Sequence, residues 1–111
     1  MDEQRAHSRR LMHEAAWIAA SAEGAWTPMV LLEISTNGLT IASTQSLDSG
    51  DVHAVRFTLP GDAAPHDALV RLLYRSTDGV PAGFRYGARF TAIDQRTTEH
   101  IVDFLSLPVL A

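Results

Sequence analysis

The chain has 111 residues, 46% of them apolar and 20% charged, with a net charge of -4 from 13 acids and 9 bases. This is the length and balance of one globular domain around a modest core. The absence of cysteine excludes a disulfide scaffold, a thiolate zinc site and a cysteine nucleophile, and the acidic total argues against a protein that coats nucleic acid through a basic surface.

Residues 1–10 carry Arg5, Arg9 and Arg10 against Asp2 and Glu3. This charged stretch lacks the apolar segment of a signal peptide and reads as a short, flexible arm. No run of about 18 apolar residues follows anywhere, so no membrane-spanning helix is expected and the cytoplasm is the expected location. Leu11 to Ala22 has two readings. Leu11, Ala15, Ile18 and Ala22 fit a helix, and His13, Ala15, Trp17 and Ala19 fit one face of a strand.

The rest of the chain is punctuated every ten residues or so by turn residues: Asn37-Gly38, Gly50, Pro60-Gly61-Asp62, Asp78-Gly79 and Gly83. Such spacing marks an all-β sandwich or barrel. Met29–Ser35 and Leu39–Thr44 flank Asn-Gly, a strong hairpin signal, while Pro28 points to an edge position or a bulge. Val55, Phe57 and Leu59 share one strand face, as do Val70, Leu72 and Tyr74. Phe84, Tyr86, Ala88 and Phe90 form another, with Arg85, Gly87, Arg89 and Thr91 opposite. Leu69 and Leu73 are apolar and face outward, which leaves open a cover by the terminal helix or by a second copy in a homodimer. Asp94 is placed to cap a helix over about 95–106 with Ile101, Phe104 and Leu105 on its apolar face, ended by Pro108.

Enzyme chemistry has little support. The five histidines, at positions 7, 13, 53, 66 and 100, include no i, i+4 pair and have no thiol beside them, so they read as solvated or hydrogen-bonded groups rather than as a metal site. No nucleophile elbow and no glycine-rich phosphate loop occurs. Arg71, Arg75, Arg85 and Arg89 lie on the outward faces of two consecutive strands, but no aromatic rings are interleaved with them, so they read as a charged face paired with acids rather than a nucleic-acid stripe.

Two motifs remain: an RxxxR spacing at Arg5 and Arg9, and Glu33-Ile34-Ser35-Thr36-Asn37-Gly38, a Ser-x-x-Gly turn between two strands. In this order, and with the ending Tyr86–Ile93 before a helix, the chain resembles the PilZ domain family over nearly its whole length. The resemblance implies a mainly β fold, a six- or seven-stranded antiparallel barrel with a C-terminal helix, preceded by an arm over residues 1–10. It makes Leu11–Ala20 the first strand. It implies a non-enzymatic receptor with no cofactor, binding the bacterial second messenger cyclic di-GMP and relaying it to a partner protein. The implied ligand residues are Arg5, Arg9, Arg10, Glu33, Ser35 and Gly38. The arginines would fork onto phosphate and guanine, Ser35 would hydrogen-bond the ligand, and Gly38 would supply a positive-φ turn. Glu33 stands where the family has Asp or Asn. It keeps a carboxylate for guanine N–H donors but moves it by about 1.5 Å. That departure motivates a second reading, a degenerate adaptor that acts by protein contact in pilus or motility systems.

Overall fold

A computed structural model describes residues 10–19, 25–47, 50–77 and 83–107. Arg5 and Arg9 of the arm, and Pro108, lie outside the described residues. Six strands form a closed antiparallel barrel: β1 (Arg10–Ala19), β2 (Thr27–Ile34), β3 (Gly38–Ser43), β4 (Val52–Phe57), β5 (His66–Ser76) and β6 (Phe84–Ala92), followed by α1 (Gln95–Ser106). Their order around the barrel is β1-β2-β3-β6-β5-β4, closed by pairing of β1 with β4. Closure removes the sheet edges that a six-stranded open sheet would leave unpaired.

The core is filled by alternate residues of each strand. Ile18, Leu31, Ile34, Ile41, Phe57, Val70, Leu72 and Tyr86 are all nearly or fully buried. The first segment is a strand despite its alanines, but Ala16 and Ile18 point inward while Ala15 stays exposed. Pro28 is tolerated because the β2–β3 ladder begins only at Val30, two residues further on. Tyr86 ties the β3–β4 connection to the barrel: its hydroxyl donates to Gln45 O at 2.9 Å and accepts from Leu47 N at 2.7 Å.

Three strand pairings carry bulges that reset the inside–outside alternation. In β2, the extra residue between Leu31 and Glu33 moves the inward phase from Leu31 to Ile34, which turns Glu33 away from the core. In β5, the extra residue at Leu73 does the same for Tyr74. Tyr74 is therefore half-exposed rather than sharing the face of Val70 and Leu72. A strict period-two reading puts it inside, and the bulge is the reason that reading fails.

Helix α1 starts where expected. Asp94 Oδ1 accepts from Thr97 N at 2.7 Å, and Thr97, Ile101 and Phe104 form its buried face. Because all neighbours are antiparallel, the start of β1, the β2–β3 turn, the β4–β5 loop and the start of α1 gather at one end of the barrel. There α1 meets His66, whose ring centre is 5.7 Å from Phe57 and 5.0 Å from His100. It does not cover Leu69 or Leu73, which stay exposed. Among the described residues no helix is long and apolar enough to cross a membrane.

Candidate functional site

The β2–β3 turn is built by Ser35. Its backbone N–H donates to Gly38 O at 2.9 Å. Its hydroxyl oxygen accepts from Asn37 N at 3.2 Å and Gly38 N at 3.3 Å, and lies 3.4 Å from Gly38 O, to which it donates. The turn is pinned to the last strand by Phe90 N donating to Asn37 O at 2.9 Å. Ser35 is buried, so its hydroxyl serves first to hold the turn.

Gly38 is required for a different reason from the one its turn position implies. It has no positive φ. Instead, β3 and β6 approach so closely there that a Cβ would collide with the Ala88 carbonyl oxygen and stand 3.0 Å from Arg89 Cα. The glycine lets two backbones meet.

Glu33, Thr40, Gly87 and Tyr74 are consecutive cross-strand partners on β2, β3, β6 and β5. Together they make one row across the outside of the barrel. Glu33 Oε1 accepts from Thr40 Oγ1 at 3.3 Å. Tyr74 lies over Gly87, where a Cβ would stand 2.7 Å from the phenol oxygen, and a substituted residue would push the ring away. Arg89 flanks this row, and the whole forms an open cavity of about 220 Å³ that also takes in Ser35 and Gly38. A carboxylate, a hydroxyl, an aromatic ring and a guanidinium thus converge on one concave surface. Such a set can receive a planar base with edge donors and an attached anion.

The motif residues Glu33, Ser35 and Gly38 are brought together here. Arg10 opens β1 opposite Ile34, and its neighbour Leu11 pairs with Glu33, so the chain enters the barrel beside the turn. Tyr74, Gly87, Thr40 and Arg89 are not among the ligand residues expected from sequence. The glycine of β6 was the available signal, because a strand glycine facing a half-exposed aromatic ring is a recurrent pairing. Arg71 and Arg75 of the expected outer face, and Arg56 on β4, have different partners. Arg71 donates to Gly50 O, Arg75 donates to Ser46 Oγ at 2.7 Å and lies over Phe84, and Arg56 forms a two-pronged pair with Asp67 at 2.7 and 2.9 Å. Arg71 and Arg75 therefore bind loop oxygens, not acids.

Comparison with known proteins fits this geometry. The family profile of the PilZ domain matches residues 3–107. The chain belongs to the PilZ domain family. A search of curated proteins finds no match. Among solved structures, the PilZ domain is similar to the Bacillus subtilis inhibitor of motility MotI/DgrA, with a TM-score of 0.78, 12% identity, and coverage of 95% of this chain and 50% of that one. The PilZ domain of YcgR from Escherichia coli, determined with c-di-GMP, superposes with a TM-score of 0.70 at 16% identity, covering 95% and 92%. The Borreliella burgdorferi PlzA protein in complex with c-di-GMP gives 0.61 at 16% identity, covering 96% and 38%. The chain thus spans about half of the Bacillus chain and less of the Borreliella one. At these identities the likeness shows the fold.

Proposed function

We propose that this PilZ domain is a receptor for cyclic di-GMP and relays its presence to a partner protein. The observation that carries the reading is the row Glu33–Thr40–Gly87–Tyr74, flanked by Arg89, beside the point where the RxxxR arm joins β1. Structural neighbours determined with c-di-GMP support it.

In this reading Glu33 accepts the N1–H and N2–H of one guanine, and Tyr74 offers a ring for a base to stack on. Arg5 and Arg9, with Arg10, fork onto phosphate oxygens and the guanine O6 and N7 edge. Ser35 shapes the turn and Gly38 keeps the floor open. The arm, short and polar, orders over the cavity as the ligand binds, and that ordering at the α1 end of the barrel is what a partner reads.

Calorimetric titration with cyclic di-GMP tests the proposal. Saturable heat and a raised melting midpoint are expected at tens of micromolar ligand. A hydrogen bond to a charged group contributes about 1.5–3 kcal/mol, so Arg5→Ala with Arg9→Ala should weaken binding by about 100-fold or more. Neither heat nor thermal shift would sink the receptor reading, and binding that survives the double substitution would overturn the site. The adaptor reading rests on Glu33 in the position of Asp or Asn. Its signature is no binding by the natural chain and binding gained in Glu33→Asp.

A further inference from the structure

A second constellation lies where α1 meets the barrel. His66 Nε2 is 2.7 Å from Asp62 Oδ2, and His100 Nδ1 is 3.3 Å from Asp62 Oδ1. One donor atom from each residue lies within 4.8 Å of the other two. Asp62 belongs to the β4–β5 loop, His66 opens β5 and His100 sits on α1, so the group is assembled only by the fold. We propose that Asp62, His66 and His100 bind a divalent transition-metal ion of the zinc class, which clasps α1 to the β4–β5 loop.

The donor set fits such an ion. Two imidazole nitrogens and a carboxylate oxygen suit zinc without any thiolate. Tetrahedral ligands at about 2.0–2.1 Å from zinc lie roughly 3.3 Å apart. The 2.7 and 3.3 Å separations run to different oxygens of Asp62 and the three donor atoms lie within 4.8 Å of one another, so a shared ion requires the Asp62 carboxylate to turn and the ligands to close on it.

The surroundings orient the histidine as a ligand. His66 Nδ1 lies 3.1 Å from Thr97 Oγ1, whose oxygen can accept from Nδ1–H when Nε2 carries a metal. Hydrogen bonding at the second imidazole nitrogen is the usual device for fixing a metal-bound histidine.

The site is also reachable. The His66 side chain is 0% exposed, the Asp62 side chain 14% and the His100 side chain 37%. A cavity of about 170 Å³ adjoins the last two, giving room for water as a fourth ligand.

The test is titration of the full chain, free of any histidine tag, with Zn²⁺, followed by calorimetry and thermal denaturation. One saturable equivalent and a midpoint raised by several degrees are expected, with Co²⁺ giving the visible absorption bands of nitrogen–oxygen coordination. His100→Ala should abolish both responses while keeping the metal-free midpoint. Asp62→Asn, which retains the acceptor for Leu59 N–H, serves equally if that variant folds poorly. Thr97→Val should weaken zinc binding roughly 10–100-fold through the orientation of His66. The proposal is overturned if a hundredfold excess of Zn²⁺ leaves heat and midpoint unchanged, in which case a proton alone bridges His66 and Asp62. It is equally overturned if zinc binding survives both His100→Ala and Asp62→Asn. The inference is independent of nucleotide binding, which the same variants report separately.

Discussion

Two glycines on the site show how differently a single missing methyl group can act. At Gly38 the space is closed by backbone, the Ala88 carbonyl and Arg89 Cα, and backbone in the middle of a barrel cannot yield. At Gly87 the space is closed by the ring of Tyr74, a half-exposed side chain that can swing. Gly38→Ala should therefore destabilise the barrel by about 1–3 kcal/mol, the cost of forced overpacking. With a urea slope of about 1–3 kcal/mol per molar for a small domain, that lowers the midpoint by about 1 M. Gly87→Ala should leave the urea midpoint nearly unchanged and displace Tyr74 instead, so it weakens a ligand stacked on that ring without unfolding the chain. Equal losses of stability in the two variants would show that the Tyr74 ring is as fixed as the backbone.

The same pair shows what can be read from sequence at the level of elements. The barrel strands are legible because Phe84, Tyr86 and Ala88, or Val55, Phe57 and Leu59, keep one period over several residues, and the hairpin is legible because Asn-Gly marks a turn, although Gly38 takes no positive φ and Ser35 holds that turn. The first strand is not, since Leu11, Ala15, Ile18 and Ala22 fit a helix while His13, Ala15, Trp17 and Ala19 fit a strand, and only pairing with β2 and β4 decides. Glu33 and Tyr74 owe their outward direction to bulges, which add one residue to one strand and leave no mark in composition. The histidine–aspartate cluster escapes local reading because 34 residues separate His66 from His100, and the sheet and helix alone bring them together. The helix itself is legible from Asp94, and its cap gives a pH prediction. The Thr97 backbone N–H, then its hydroxyl, hold the Asp94 carboxyl below its usual range. A group with a lowered folded pKa contributes stability that is complete above its unfolded value near 3.9 and is lost as pH falls through the folded value. Asp94→Ala should thus lower the melting midpoint at pH 7, and the difference from the natural chain should shrink as the pH falls below about 4. A constant difference from pH 7 to pH 2 would mean that the carboxylate charge contributes nothing to the cap.

Across the whole molecule, charge decides which anions can bind. The chain carries -4 overall, and every base is arginine. Several of these arginines are already engaged: Arg56 with Asp67, Arg71 with the Gly50 carbonyl and Arg75 with Ser46. A long nucleic acid strand binds by releasing counterions from many phosphates along a basic track, with affinity that scales steeply with the number neutralised. Among the described residues the barrel offers no continuous track, and the net charge repels a polyanion once salt no longer screens beyond about 10 Å. A dinucleotide needs only a few guanidinium groups at one place, within a distance where local attraction exceeds the net repulsion. The expected outcome is that a single-stranded oligonucleotide at low salt shows no retention above background in filter binding, while cyclic di-GMP binds under the same conditions. Retention of the oligonucleotide that falls steeply with added salt would reverse this, and would assign the outward arginines of β5 and β6 to a nucleic-acid surface instead.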